Sequence, residues 1–333
     1  MLLRCALLLA GTLAGQAETH RVFATRFYNS FHHRHEPLLK VRSGDVVITK
    51  TIDASGRDQT GKVAAEGPNP LTGPFYIEGA EAGDSIAVTF RRMRSNRDWG
   101  FTNYRLGLFA LNPNSIESLY PNRFKADAVI PGRDNSVRWD LDLAKGTVRL
   151  HEPASKAHAM EFAAEPMMGC VGVAAPGDFG PSSSISGPYG GNMDYNRIGE
   201  GATLILPVYH PGALFFLGDG HALQADGEPL GTGIEVSMDV EFTVELRKKA
   251  GVGMPRLETP EFIVSIGSQP EFASPLDRAL QLATSDMAGW LARGYGMEPW
   301  AAHLLIGMKG QYDVVTVAGS VGLRLPRTAL PRK

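Results

Sequence analysis

Thirteen consecutive residues limit the architecture more than any other stretch of the chain. From Ile234 to Leu246 the sequence reads IEVSMDVEFTVEL, in which Ile234, Val236, Met238, Val240, Phe242, Val244 and Leu246 alternate with polar residues without a break. A period of two keeps all these apolar side chains on one face of an extended strand, whereas a helix would scatter them around its circumference. The segment predicts a strand with one wet face, and therefore an antiparallel sheet packed on a core from one side.

Other segments extend this pattern. VRSGDVVITK (41–50) and AEAGDSIAVT (80–89) each launch a β-branched run from a Gly-Asp turn, and 38 glycines and 22 prolines supply the turns that many short strands need. Residues 129–150 give weaker strand signals, with turns at Gly132 and Gly146 and a short strand at Thr147–Leu150. Helical spacing enters only late. Leu276, Ala279, Leu280, Ala283, Met287, Trp290 and Leu291 recur on one stripe, with Ser274 as cap, Pro275 as first helical residue and Gly294 as stop. A second helix starts at Glu298–Pro299, and strands are expected at 312–317 and 321–325. The expected fold is mainly β, a β-sandwich over residues 18–250 with a small α/β C-terminal part, 251–333, belonging to the same unit.

Charge narrows the ligand class. Thirty-three basic against 35 acidic residues leave a net charge of −2, which gives no electrostatic ground for nucleic acid or an anionic membrane as partner. A small molecule is the default ligand. The N-terminal segment reads as a signal peptide: Arg4, the apolar run Ala6–Leu13, too short to span a bilayer, and the small-x-small pattern Gly15-Gln16-Ala17. This predicts cleavage near Ala17 and a periplasmic or secreted protein. Cleavage removes Cys5 and leaves Cys170, in the apolar context MMGCVGVA, as a buried core thiol without a disulfide partner.

The densest chemistry lies in GDGHALQADGE, 218–228. Asp219 and His221 are oxygen and nitrogen donors suited to zinc, and Glu228 can complete such a site or serve as a base. The segment is expected to be a loop on a β scaffold, with Gly218, Gly220 and Gly227 letting the backbone bend. A solvated hairpin in which the same residues only form turns is an equal alternative. In GPYGGNMD (187–194), Asn192 can face a carbonyl or oxyanion, and Asp194 can bind metal or orient a water. Asp53, in TIDASG, is a further acid at a strand end. Of the run His32-His33-Arg34-His35, only His33 and His35 would share a face on a strand.

These motifs carry a resemblance. ITKTIDASG (48–56), GPNPLTGPFYIEGAEAGD (67–84), GPYGGNMD (187–194) and, above all, LPVYHPGALFFLGDGHALQADGEPLGTGIEVSM (206–238) are similar to the acetamidase/formamidase family. The resemblance implies a β-sandwich-like acetamidase/formamidase fold, hydrolysis of a small linear amide to a carboxylate and ammonia, a divalent metal and a homo-oligomer. It places Asp53, Asn192, Asp194, Asp219, His221, Gln224 and Glu228 on family motifs. The division expected here makes Asp219, His221 and Asp53 metal ligands, with zinc favoured over calcium. Glu228 or Asp194 moves protons, and Asn192 or Gln224 faces the amide. Ala225, where family members usually carry glycine, Asn103-Tyr104-Arg105 and KGQYDVVTVAGS (309–320) depart from the family pattern and bear on which amide or lactam is accepted. The competing reading is an exported β-sandwich that binds a small molecule or glycan around a structural metal without turnover.

Overall fold

The computed structural model describes residues 17–104, 106, 110–112, 136–153, 155–269 and 275–331. Residues 1–16 of the expected signal peptide, the expected turn at Gly132 and the expected Ser274 cap lie outside the described residues.

A nine-stranded sheet runs from edge to edge in the order β1 (Thr19–Arg21), β3 (Val46–Lys50), β15 (Met238–Arg247), β5 (Ser85–Ser95), β13 (Thr203–Pro207), β16 (Arg256–Glu258), β17 (Phe262–Gly267), β19 (Ser320–Pro326), β18 (Gln311–Thr316). A six-stranded sheet follows the order β11 (Ser186–Gly187), β12 (Gly190–Asn192), β10 (Met167–Val173), β14 (Phe215–His221), β4 (Thr72–Ile77), β2 (Leu39–Val41). A four-stranded sheet comprises β6 (Trp99–Asn103), β7 (Ser136–Asp142), β8 (Thr147–Leu150) and β9 (Glu161–Ala163).

The first two sheets pack face to face. Phe242 of β15 meets Phe75 of β4 and Phe215 of β14, with ring centroids 5.2 and 5.3 Å away, in a dry core that also takes Val88, Phe90, Val240 and Val244. Alternation along β5 and β13 serves two cores at once: Ile86, Val88, Leu204 and Leu206 point into the sandwich, while Ala87 and Ile205 point the other way. That second face is covered by α1 (Leu276–Tyr295) and α2 (Pro299–Lys309), through Ala283, Met287, Trp290, Leu291 and Ala302. The mainly β, sandwich-like expectation holds, and the C-terminal strands continue the same nine-stranded sheet.

Local details differ from the sequence reading. α1 runs through Gly294 and ends at Gly296, whose φ of 65° is the left-handed cap that glycine supplies without strain. The alternating strand is also broken. Only Met238–Arg247 joins the nine-stranded sheet, where Asp239, Glu241, Thr243 and Glu245 are at least partly exposed. Residues 234–236 instead pair with the end of β14, Ala222 N–H donating to Ile234 O and Val236 N–H to Gly220 O. On their other side Glu235 N–H donates to Phe101 O. Backbone on both flanks leaves Glu235 2% exposed, so the wet face is dry here, as it is at buried Ser237.

Candidate active site

Strand β14 was expected to end before the acidic segment; it runs on to His221, so Gly218-Asp219-Gly220-His221 is strand and the loop begins at Ala222. Its apolar start, Phe215–Leu217, is fully buried between β10 and β4 and fixes the strand rigidly. Asp219 interrupts the extended run with φ 60° and faces Gly169 of β10. A Cβ at Gly169 would lie 2.5 Å from Asp194 Oδ1 and 3.0 Å from Asp219 Oδ2, so the missing side chain is the space in which two carboxylates approach each other. Gly233 does the same for the imidazole: a Cβ there would come within 2.5 Å of His221 Cγ and Nδ1.

The His221 ring is held in one orientation. Gln224 Nε2 donates to the backbone oxygens of Asp194 at 2.6 Å and Ala225 at 3.3 Å, which turns Gln224 Oε1 toward His221 Nδ1 at 2.7 Å. An amide oxygen only accepts, so Nδ1 carries the proton and Nε2 faces Glu235 Oε1 at 3.2 Å and Asp219 Oδ1 at 3.4 Å. Both ends of the Gln224 amide are thus engaged. Gln224 orients the imidazole and does not face a substrate amide, contrary to the sequence reading.

Four carboxylates surround this ring in two overlapping groups. One comprises Asp219, His221 and Glu235, the other Asp194, His221 and Glu228, and within each group one donor atom per residue lies within 4.8 Å of the others. Among the described residues no lysine or arginine forms an ion pair with any of the four. Burial is therefore uncompensated. It pushes the Asp194 and Glu235 carboxyls well above the usual range, with help from Glu228 and Asp219 at Asp194 and from Asp219 at Glu235, against His221 at both. Glu228, half-buried, is raised to about 8, by burial first and then, against the pull of His221, by Glu235 and Asp219. Burial opposes charge on His221, but Glu235 and Asp219 outweigh it and raise its pKa well above the ordinary value.

Two buried oxygens in this group, Asp194 Oδ1 and Glu235 Oε2, have no hydrogen-bond partner. A desolvated carboxylate oxygen without a donor is costly, and two of them on carboxylates grouped with one imidazole form an oxygen-and-nitrogen donor set of the kind a divalent cation takes. The residues present fit such an ion. Backbone strain gathers here too: Asn69, Asp194, Asp219 and Glu228 have φ of 44°, 50°, 60° and 48°, a region non-glycine residues avoid and retain mainly at functional sites.

Asn192 links the two groups. It accepts from Asn69 Nδ2 at 2.7 Å and donates through Nδ2 to Asp194 Oδ2 at 2.6 Å, while Asn69 Nδ2 also donates to Asp219 Oδ2 at 3.0 Å. Asp53 is not in the cluster. Its Oδ1 accepts from Ser55 N, Ser55 Oγ and Arg57 N, and its Oδ2 from Arg97 Nη2 at 2.8 Å, so this carboxylate is saturated. Asp53 and Arg97 anchor the loop whose Ala54 carbonyl accepts from Asn69 N–H at 2.9 Å, which makes Asp53 a support for Asn69 and not a metal ligand. His33 and His35 do not meet either: His33 stacks on His210, whereas His35 reaches Ser30 and stacks on Tyr28. Cys170 is buried, donates to Ser183 O, and has its thiol pKa pushed well up by burial, consistent with a core thiol. Glu235, Asn69 and Gly169 were missed from the sequence.

Comparison with known proteins bears on the fold and the family. Residues 182–287 match the family model described as the Acetamidase/Formamidase family. A crystal structure of an acetamidase from Yersinia enterocolitica is similar with a TM-score of 0.75 and 28% identity, covering 96% of this chain and 95% of that one. An acetamidase structure from Bacillus halodurans gives 0.73 and 26%, covering 92% and 97%. A curated Schizosaccharomyces pombe protein that carries a provisional formamidase name is 24% identical over 233 residues, 58% of this chain and 55% of its own length. The chain thus spans about half the length of that curated relative. Family match over 182–287, near-full-length structural likeness and the blocks 187–194 and 206–238 converge on similarity to the acetamidase/formamidase family, whose fold this chain shares.

Proposed function

We propose that the protein is an amidase that hydrolyses the C–N bond of a small linear amide to a carboxylate and ammonia, with a divalent cation, zinc in preference to calcium, held around His221. The observation that carries this reading is the pair of orphaned oxygens, Asp194 Oδ1 and Glu235 Oε2, on two carboxylates grouped with the buried His221 imidazole in a chain whose structural relatives are acetamidases. His221, Asp219 and Glu235 would hold the ion, and Asp194 is in reach of the same imidazole. When bound, a divalent cation supplies Lewis acidity toward the amide carbonyl and favours ionisation of a water.

The chain's own residues divide the remaining work. Amide nitrogen is a poor leaving group and must be protonated as it departs. Glu228, with a pKa of about 8, holds a proton at neutral pH and is the half-buried member of the cluster, so it is placed to donate. Asp194 keeps Oδ1 free while Asn192 holds Oδ2, so it offers an unbonded carboxylate oxygen to the proton of an attacking water. Asn192 retains one N–H beyond its bond to Asp194 and can present it to the carbonyl.

Export and self-association complete the proposal. The basic and apolar run before Ala17 supports export, and among the described residues no helix is long and apolar enough to cross a membrane. N-terminal sequencing of the mature protein should begin near Ala17, and light scattering should give a mass above that of one chain. The enzymatic test is ammonia release from formamide, acetamide and longer amides with added zinc, calcium or chelator, together with ring-opened product from lactams. Ammonia release abolished in His221→Ala supports the reading. Ligand binding without turnover of any amide or lactam overturns it in favour of a binding module.

A further inference from the structure

The two carboxylate groups that share His221 are held by different parts of the fold. Asp219 lies within β14, between two hydrogen-bonded neighbours, and Glu235 has backbone bonds on both flanks. Asp194 and Glu228 lie instead on turns outside any strand. Both turns are tied to one hairpin, β18–β19, through separate contacts. Tyr195, next to Asp194 and 1% exposed, donates its hydroxyl to Asp313 Oδ2 at 2.8 Å. Asp313 is buried and also accepts from Arg197 Nε at 3.1 Å and Arg324 Nε at 3.0 Å. Next to Glu228, Gly227 O accepts from Val317 N–H at 2.9 Å, in a parallel bridge to Thr316. A Cβ at Gly227 would meet Val314 and Val317 at 3.2 Å, so the turn sits directly on the hairpin. Asn196 Nδ2 then bonds Asp226 Oδ1 at 2.7 Å and links the turns to each other.

We infer that the β18–β19 hairpin, through Asp313, is a positioning clamp that sets Asp194 and Glu228 together, a link to the hairpin that Asp219 in β14 and Glu235 on its backbone bridges do not share. Asp313 bonds to none of the four carboxylates nor to His221, so it acts through Tyr195 and the Gly227 turn. Burial and the Asp313 charge hold the Tyr195 hydroxyl well above its ordinary pKa, which keeps it a donor. Each turn has local ties, Asp194 N–H to Gly169 O at 3.0 Å, Gln224 Nε2 to Asp194 O at 2.6 Å and Glu228 N–H to Ala225 O at 3.3 Å, and the hairpin, with a buried carboxylate compensated by two guanidiniums and a phenol, adds the hold the two turns share. In catalytic terms the inference rests on the amidase reading: the clamped pair is the one assigned to proton transfer.

The test uses the full chain with Tyr195→Phe and Asp313→Asn, and reads two quantities. Hydrogen exchange by mass spectrometry should show the 193–197 and 225–231 amides accelerating together, by about tenfold or more, while 215–221 stays unchanged. On the amide that the wild type turns over best, kcat should fall about 10- to 100-fold with KM nearly constant, because substrate binding is kept while proton transfer is misplaced. Acceleration confined to one turn, equal acceleration of 215–221, or unchanged kcat in a turning-over enzyme would overturn the clamp. If wild type hydrolyses no amide, the amidase reading falls and hydrogen exchange alone decides the clamp. If Asp313→Asn fails to fold, Tyr195→Phe decides it.

Discussion

Two clusters of imidazole and carboxylate stand in this molecule with similar donor spacing and opposite surroundings. His32, His33 and Asp178 bring one donor atom each within 4.8 Å, as the His221 groups do. At the surface, however, Asp178 is 65% exposed and takes Arg34 Nη2 at 2.7 Å, and His32 Nδ1 accepts from Arg34 N–H at 3.0 Å. Water and a guanidinium already satisfy those donors. Around His221 all the side chains but half-buried Glu228 are buried, among the described residues no basic residue compensates them, and two oxygens are left without a partner. Residue types at metal-like spacing are therefore not enough; desolvation without a partner is what leaves a group open to a ligand.

This contrast can be broken in several ways. His221→Ala should have the largest effect, a loss of at least about 10³-fold in kcat/KM with the fold retained on circular dichroism. Glu228→Gln should lower kcat by about 10²-fold or more in steady-state assays. The same residue sharpens the contrast through pH. Its folded pKa of about 8 exceeds the ordinary 4.5, so the folded protein binds an extra proton between those values. Stability from this group is fully present below pH 4.5 and lost as pH rises through about 8. Metal-depleted protein should show a Tm that falls between pH 5 and 8, and Glu228→Gln should flatten that slope in scanning calorimetry.

Gly169→Ala comes next. Its Cβ would lie 2.5 Å from Asp194 Oδ1, so overpacking of about 1–3 kcal/mol in denaturant melts should accompany weakened zinc affinity. His33→Ala should do least, within about 0.5 kcal/mol in the same melts and with zinc content unchanged. Zinc lost with His33 would erase the distinction between the clusters.

Much of this was legible in the sequence, for a definable reason. The β-rich architecture follows from period-two runs, which survive tertiary packing because one face is buried along nearly the whole of β15. His221, Asp219, Asp194 and Glu228 are visible as acids and an imidazole among glycines. Glu235 was not, since its place in a perfect alternation equates it with Glu241 and Glu245, and only pairing of residues 234–236 with β14 and Phe101 takes it out of water. Asp53 erred in the opposite direction. An acid at a strand end reads as a donor until Arg97, 44 residues away, is seen to neutralise it. Gly169 carries no chemistry in one dimension; its meaning is the volume it leaves empty between two carboxylates brought together by β10 and β14.

The most direct measurement is elemental analysis of protein purified without added metal, wild type beside folded His221→Ala. The expected result is about one equivalent of zinc per chain in the wild type, absent from the variant, with amide turnover following the metal. Metal-free wild type that hydrolyses amides at full rate, or zinc retained undiminished without His221, would contradict the proposal.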